Sequence, residues 1–304
     1  MSQVSPNDFN TALSPIREIA AYEALWSTPN ASVKNIAEVM MHHPQSPLSL
    51  LVEPDLIDDY LNQVRKVIKP IISKFGVCFI GEADYPKKLS DAKYPVPLLY
   101  FMGAWDLIYS PSVSVVGTRN PTQDGIKRTQ KLVKELVKDG YTIISGLAKG
   151  IDTVAHETAL ACGGKTIAVI GTPINENYPK ENKELQNEIA TQHLLISQVP
   201  LIRYSRQDYR LNRFFFPERN KTMSALSLGT IIVEAGETSG SLIQATAALE
   251  QKRKLFILDS CFRNSELTWP AKYLEKGAIK VKEYQDIRSE LNKTHEHSAS
   301  DYTA

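Results

Sequence analysis

A glycine-containing loop that opens a helical segment holds the first residues whose types suit ligand chemistry. The loop reads Gly117-Thr118-Arg119 and follows the apolar run Val113 to Val116. Glycine lets a backbone approach a ligand, a helix N-terminus favours an anion, and arginine donates two parallel hydrogen bonds to a phosphate. The loop therefore indicates a phosphate site, with a plain strand-to-helix turn and a solvated arginine as the alternative. The Gly-x-Gly-x-x-Gly fingerprint of dinucleotide-binding proteins is absent.

A second loop combines small residues with a cation. It spans residues 145–152 as Ser-Gly-Leu-Ala-Lys-Gly-Ile-Asp, in which Lys149 is the cation. The residues that would form a floor open to close approach are Ser145, Gly146, Ala148 and Gly150. His156 lies four residues after Asp152, so the two side chains can share a hydrogen bond on one helix face. A histidine so placed is more often structural than catalytic, and the spacing defines no Ser–His–Asp triad.

The segment Leu201 to Lys221 is basic and aromatic. It contains six cationic residues but only two acidic ones, Asp208 and Glu218, which gives a local net charge of +4. Five aromatic residues are interspersed among the cations. Cations that follow a phosphate backbone and rings on which bases stack are what sequence-tolerant binding of single-stranded nucleic acid requires. The alternative is that the three consecutive phenylalanines belong to the core, at least in part, and that the arginines are solvated. We expect most of this segment to be a long loop that leads into a helix.

A fourth stretch follows the apolar run Thr230 to Val233. Ser239-Gly240-Ser241 opens a helical segment there, and its N–H and hydroxyl groups suit an anion. Simple N-capping by Thr238 or Ser239 is the alternative. Glu234, at the end of the run, would be a candidate base if the protein were an enzyme.

Strand–helix alternation must position these loops. From Ser112 to Leu258, short runs rich in β-branched residues alternate with helical segments, which is typical of a parallel sheet covered on both faces. We predict an α/β fold in three parts: a small helical N-terminal domain over residues 1–75, a main domain over 76–288 and a flexible tail over 289–304. Ligands of such sheets bind beyond the carboxyl ends of the strands, where all four stretches fall.

Composition narrows the class of protein. The chain has 304 residues and a formal net charge of +1, which argues against a wholly basic nucleic-acid coat but not against a basic patch. Three well-separated cysteines without a CxxC pair exclude zinc ribbons and disulfide frameworks. We find no membrane-length apolar run and no signal peptide, and expect a cytoplasmic protein with no membrane association, metal or cofactor.

Taken together and in order, the motifs resemble those of the DprA/Smf family of DNA-processing proteins. The resemblance covers about residues 80–280 and includes Tyr178-Pro-Lys-Glu-Asn182 and Phe216-Pro-Glu-Arg-Asn220 besides the loops above. It implies an extended Rossmann-like domain that binds single-stranded DNA, commonly as a homodimer, without enzymatic activity. The family's role in DNA recombination, competence and natural transformation further implies protection of incoming or exposed strands and loading of RecA recombinase.

The motif positions and the physical reading of the loops select one set of candidate DNA-binding residues. They are Gly117, Thr118, Arg119, Ser145, Gly146, Ala148, Lys149, Gly150, Phe216, Arg219, Asn220, Lys221, Ser239, Gly240 and Ser241. We expect electrostatic and stacking contacts rather than recognition of base edges.

Some positions depart from the family pattern. Asp259-Ser260 replaces the family's Pro-Gly, and we expect the chain to lack the winged-helix domain found at many members' C-termini. Two alternatives stay open. One is a nucleotide-binding or phosphoribohydrolase-like enzyme of the same fold, although Glu234 to Ser241 lacks the diglycine and trailing acid of those enzymes. The other is a mobile-element or defence variant that serves a different partner.

Overall fold

In a computed structural model, the chain folds around one mixed sheet. The structure describes residues 14–43, 46–71 and 73–300, with residues 91 and 294–300 as backbone only. The strands are β1 (Gly76–Phe79), β2 (Leu98–Gly103), β3 (Ser112–Val116), β4 (Thr142–Ser145), β5 (Thr166–Ile170), β6 (Leu194–Ser197), β7 (Gly229–Ile232), β8 (Lys254–Leu258) and β9 (Ile279–Val281). They lie in the sheet in the order β1-β2-β6-β5-β4-β3-β7-β8-β9. Strands β3 to β9 pair in parallel, and β1 and β2 extend one edge in antiparallel pairing.

The predicted α/β fold with a mostly parallel sheet is confirmed. Consecutive residues of β4 show why the strands are mostly apolar: Ile143 packs into the cluster on one face of the sheet and Ile144 into the cluster on the other. A strand covered on both faces needs apolar side chains in both directions, so it reads as a continuous run. Strand β9 was not predicted, because a strand of three residues with only Val281 buried leaves no recognisable apolar run in the sequence.

Helices cover both faces of the sheet and its β1 end. Those in the described part of the chain are α1 (Pro15–Ser27), α2 (Val33–His42), α3 (Pro54–Ile68), α4 (Gln123–Lys138), α5 (Ile151–Ala161), α6 (Lys183–Gln192), α7 (Leu201–Arg206), α8 (Tyr209–Asn212), α9 (Phe215–Leu226), α10 (Ser241–Glu250), α11 (Asp259–Phe262), α12 (Trp269–Glu275) and α13 (Tyr284–Ser300). None of them is long and apolar enough to cross a bilayer.

The expectation of a long loop before residue 221 was wrong. The basic segment folds into α7, α8 and the first half of α9. Asp208 caps α8, since its carboxylate accepts the N–H of Arg210 at 2.8 Å. Helices as short as four or six residues carry too little periodicity to be recognised in a sequence.

The predicted N-terminal helices share a hydrophobic cluster with the sheet. Between ring centroids, Tyr22 of α1 lies 6.2 Å from Trp26 and 6.3 Å from Tyr100 of β2. Trp26 in turn lies 5.5 Å from Phe215 of α9. The backbone of residues 289–300 continues α13, where we expected a flexible tail, and residues 301–304 lie outside the described part. The division at residue 75 stays a prediction.

A buried glutamate fastens α1 to α7. The Glu23 carboxylate accepts the N–H groups of Leu201 at 2.6 Å and Ile202 at 3.0 Å, and the Tyr100 hydroxyl at 3.0 Å. Burial nevertheless raises the pKa of Glu23 from 4.5 to about 7. The folded state therefore binds this proton more tightly than the unfolded state.

We expect the stabilisation from Glu23 to be complete below pH 4.5 and to disappear as pH rises through about 7. The free energy of unfolding should fall by up to about 3 kcal/mol over that window, relative to Glu23→Gln, which cannot titrate. Denaturant unfolding of both proteins at about pH 5 and about pH 8 measures this. The variant is the necessary reference because burial lowers the pKa of His156 to about 3, so His156 makes the free energy of unfolding rise with pH in both proteins. The difference between the two proteins removes this contribution. If the free energies of unfolding of wild type and Glu23→Gln differ by the same amount at both pH values, the raised pKa of Glu23 is contradicted.

Candidate nucleic-acid interface

The loops after β3, β4 and β7 meet because the strand order reverses beside β3, and residues of α9, from the basic segment, line the same place. The chain runs from β3 through β4 and β5 to β6 on one side, and β7 to β9 lie on the other. Strand β3 pairs in parallel with both β4 and β7, so the carboxyl ends of all three lie at one edge. A reversal of this kind opens a crevice between neighbouring loops, which is where open α/β sheets bind ligands.

The loop after β3 is held from both sides and leaves Arg119 exposed. The N–H of Thr118 donates to the carbonyl of Glu234 at 2.7 Å, and the carbonyl of Thr118 accepts the N–H of Ile151 at 3.2 Å. The Arg119 side chain is exposed and makes no hydrogen bond or ion pair with any residue that the structure describes. An exposed guanidinium on a fixed loop is available to a phosphate.

Glu234 is engaged in the fold, contrary to the role of a free base. Its carboxylate accepts the N–H of Thr122 at 3.0 Å and the Thr122 hydroxyl at 2.7 Å, and lies 3.4 Å from Arg128. Thr122 is the N-cap of α4. The glutamate therefore ties β7 to the start of α4, where a negative charge complements the helix dipole.

The loop after β4 is built around two glycines and a buried arginine. A Cβ on Gly146 would lie 2.0 Å from Nη1 of Arg219, so only glycine leaves room for that guanidinium. Gly150 has φ of +83°, and a Cβ there would lie 2.4 Å from the carbonyl oxygen of Thr118. These contacts explain the small residues of the loop by close backbone packing.

Arg219 is a structural cation beneath the site. It is 4% exposed, and its Nη1 donates to the carbonyl oxygen of Gly146 and, at 2.8 Å, to that of Val169. Burial lowers the pKa of Arg219 to about 10, while the nearby Asp152 opposes that shift. Burial has the opposite effect on the acid: it raises the pKa of Asp152, and the attraction of Arg219 opposes that rise. The attraction between the two groups thus favours the charged form of each and opposes the effect of burial.

The expected hydrogen bond between His156 and Asp152 does not form. Nδ1 of His156 lies 2.7 Å from the Thr166 hydroxyl, and Asp152 accepts the N–H of Gly146 at 3.2 Å. The two side chains therefore serve different neighbours, which agrees with the structural interpretation of the histidine.

Two adjoining clefts open over these loops. The switch-point cleft, of about 390 Å³, lies between the loops after β3 and β7, and the lysine cleft, of about 250 Å³, lies between the loops after β4 and β5. They share the wall residues Arg119, Ala148, Phe216 and Arg219. Candidate residues that line only the switch-point cleft are Gly117, Thr118, Asn220, Ser239, Gly240 and Ser241. Gly146 and Lys149 line only the lysine cleft.

Three candidate residues lie outside both clefts. Ser145 is buried, and its hydroxyl donates to the carbonyl of Val115 at 2.7 Å. Gly150 packs against the backbone of Thr118. Lys221 lines a different cavity, next to α2, and pairs with Glu218 at 2.7 Å. We therefore infer that the first two support the loops and that Lys221 does not join the clefts.

The loop after β5 completes the lysine cleft, and sequence reasoning missed it as a site. The Tyr178 ring is 47% exposed and lies 5.6 Å from that of Phe216. Lys149 donates to Glu181 at 2.6 Å across the loop. The signal was available, because this loop also follows the carboxyl end of a strand.

One group of side chains could hold a metal ion. Within the described residues, only Cys78, Glu82 and Asp84 bring three ligand atoms within 4.8 Å of one another. Burial raises the pKa of the Cys78 thiol well above its usual range, and Glu82 already accepts the N–H of Phe79 at 3.0 Å. A thiol must be deprotonated to bind a metal well, so these residues carry no metal proposal.

Comparisons with known proteins identify the family. The model of the DNA recombination-mediator protein A family matches residues 76–292. DNA processing protein DprA of Streptococcus pneumoniae is 39% identical over 218 residues, which cover 72% of this chain and 75% of the relative.

Solved structures agree with the sequence comparison. The X-ray structure of DprA from Streptococcus pneumoniae superposes with a TM-score of 0.66 at 32% identity, over 90% of this chain and 93% of that one. DNA processing protein A of Helicobacter pylori, whose structure concerns its mode of binding single-stranded DNA, gives a TM-score of 0.61 at 32% identity, over 72% and 96%. The family model covers more than half of the chain, the motifs lie in the expected order, and the fold is shared. This chain therefore belongs to the DNA recombination-mediator protein A family, the DprA/Smf proteins.

Proposed function

We propose that this protein binds single-stranded DNA across the switch-point and lysine clefts, without enzymatic activity, and acts in DNA processing for recombination. One observation carries the proposal: Arg119 is exposed, unpaired among the described residues, and placed on the wall that both clefts share. Its guanidinium can bind a phosphate of the DNA while the nucleotides on either side of that phosphate enter the two clefts.

Cations and helix ends supply the phosphate contacts. Lys149 offers a second charge in the lysine cleft. In the switch-point cleft, Ser239, Gly240 and Ser241 form the N-terminus of the ten-residue helix α10, where N–H groups and the helix dipole favour an anion. Asn220 donates to the carbonyl of Gly240 at 3.0 Å and so fixes that helix end to α9.

Rings supply stacking surfaces. Phe216 lines both clefts, and the exposed Tyr178 lies beside it in the lysine cleft. Stacking tolerates any base, so we expect weak sequence preference. This favours binding of strands in general over recognition of a single nucleotide.

Hydrolysis is the less favoured function. Glu234, the candidate base, already accepts two hydrogen bonds from Thr122 and lies beside Arg128. Release of free base from a nucleoside monophosphate, abolished by Glu234→Gln, would favour the phosphoribohydrolase alternative instead.

The wider cellular role follows from the family resemblance. We propose that the protein acts as a homodimer, protects exposed strands and loads RecA. RecA filament nucleation on coated single strands tests the last point, and no acceleration would favour a variant with a different partner. Asp259, at a position that departs from the family pattern, pairs with Arg263 and Lys280 at 2.9 Å.

Titration with single- and double-stranded oligonucleotides at two salt concentrations tests the binding proposal. We expect the protein to bind the single strand more tightly than the duplex. The logarithm of the single-strand association constant should fall with the logarithm of the salt concentration with a slope of about −1.4 or steeper, as expected for two phosphate contacts. Binding that ignores salt, or that prefers the duplex, would contradict the proposal.

Glu181→Gln should strengthen binding. Lys149 donates to Glu181, and this hydrogen bond lowers the pKa of Glu181, so the carboxylate competes with a phosphate for the lysine. Because exposed ion pairs are weak, we expect an affinity gain of about twofold to fivefold. Fluorescence anisotropy with a labelled oligonucleotide measures it, and Glu184→Gln, at an exposed glutamate on α6, is the matched control. Equal affinities of wild type and Glu181→Gln would show that Lys149 does not contact the strand.

A further inference from the structure

Two aromatic rings on and beside α8 are exposed to solvent. Tyr209 is 75% exposed and Phe214 58% exposed. The guanidinium of Arg210 lies 5.7 Å from the centre of the Tyr209 ring, and that of Arg213 lies 5.3 Å from the centre of the Phe214 ring. We call these four residues the aromatic shelf.

The fold does not require these rings. Their neighbour Phe215 is 6% exposed and packs against Trp26 at 5.5 Å and Tyr204 at 6.1 Å, so it belongs to the core. Tyr209 and Phe214 have no ring contact of that kind among the described residues. The sequence alternative of core phenylalanines therefore holds for Phe215 and leaves the shelf without a structural explanation.

The charge of the shelf suits a polyanion. The segment that leads to and includes most of the shelf, residues 201–213, contains four arginines, two of them in the shelf, and a single acidic residue, Asp208. No carboxylate of the described part of the chain forms a salt bridge with any of the four. Cations next to exposed rings can contact phosphates while the rings stack on bases.

The shelf is continuous with the switch-point cleft. Pro217 lines that cleft and also a cavity of about 490 Å³ that is walled by Leu211 and Phe214. Phe216 lines the cleft and Phe214 lines the cavity, so the two adjoin at this proline. A strand that leaves the cleft past Phe216 can therefore reach the shelf along one surface.

We propose that the aromatic shelf is a second binding segment for the same single strand, on which bases beyond the cleft stack on Tyr209 and Phe214. This inference rests on the proposed function and extends it to a longer footprint. The occupant is DNA because the surface pairs uncompensated arginines with stacking rings and adjoins the proposed DNA cleft.

Affinity for two strand lengths tests the shelf. Anisotropy titrations would use oligothymidylates of about 6 and about 20 nucleotides, within and beyond the span of a single small site. For Tyr209→Ser combined with Phe214→Ser, we expect affinity for the long strand to fall at least about tenfold and affinity for the short strand to stay as in wild type. Arg119→Ala, in the cleft, should weaken both.

Two further variants make the result specific. Leu50→Ser, at a 71% exposed apolar residue elsewhere, should change neither affinity. Tyr209→Leu with Phe214→Leu keeps apolar bulk without rings, and should resemble the serine variant. Unchanged affinity of both ring variants for the long strand, or an equal loss at both lengths, would overturn the shelf proposal while wild type still binds both strands. If wild type binds neither strand, the cleft proposal fails first and the shelf with it.

Discussion

Arg119→Ala is expected to lower affinity for a single-stranded oligonucleotide by about tenfold to a hundredfold. A hydrogen bond to a charged group contributes about 1.5–3 kcal/mol, and 1.4 kcal/mol corresponds to a factor of ten in affinity. We expect Arg119 to give the largest single contribution because it lines both clefts and forms no hydrogen bond or ion pair with a described residue. The slope of the logarithmic salt dependence should become shallower by about 0.7, as expected when one phosphate contact of a single strand is lost.

Arg65→Ala is the matched control for this experiment. Arg65 is also exposed, lies on α3 away from both clefts, and has no salt bridge with a described residue. The two variants lose the same charge, so any effect of net charge alone will be common to both. Neither should change the free energy of unfolding by more than about 0.5 kcal/mol, since both side chains lie at the surface. Equal affinities of Arg119→Ala and Arg65→Ala would remove Arg119 from the proposed interface.

The main features of the fold could be predicted from the sequence because buried parallel strands leave a strong signal. Val113 to Val116 and Thr230 to Val233 are near-continuous apolar runs rich in β-branched residues, and helices of ordinary length separate such runs. Strand order could not be predicted, since nothing in either run says that β7 pairs with β3. That pairing creates the switch-point cleft, so the sequence indicated which loops carry candidate residues without indicating how the loops meet.

The candidate site was predicted by residue type, and burial then separated its members. Arg119 and Arg219 are both arginines in family motifs, yet one is exposed and the other is 4% exposed beneath the cleft. Side-chain burial depends on long-range packing, here on the room that Gly146 leaves, which sequence spacing does not encode. Tyr178 lies in a family motif after a strand but was not counted as a site residue, because the sequence does not show that its ring lies next to Phe216.

Arg219→Met is expected to lower the free energy of unfolding by about 3–5 kcal/mol, the range typical of removing one partner from a buried charged pair. Methionine fills much of the same volume but cannot donate to the carbonyls of Gly146 and Val169. It also leaves Asp152 buried without the cation whose attraction opposes the effect of burial on the pKa of Asp152. Urea unfolding near neutral pH measures the loss, and Arg206→Met, on the exposed end of α7, is the control for the same chemical change.

Asp152→Asn distinguishes loss of the charge pair from loss of packing. Asparagine removes the buried negative charge, so the cost of Arg219→Met should be smaller in that background by about 1 kcal/mol or more. The two carbonyls stay without their donor in both backgrounds, so part of the cost should persist. Strict additivity of the two replacements would mean that Arg219 stabilises the loop through its hydrogen bonds alone. A cost for Arg219→Met no greater than that of Arg206→Met would mean that the guanidinium is not the support of the cleft floor, and its direct contact with DNA would again be the better interpretation.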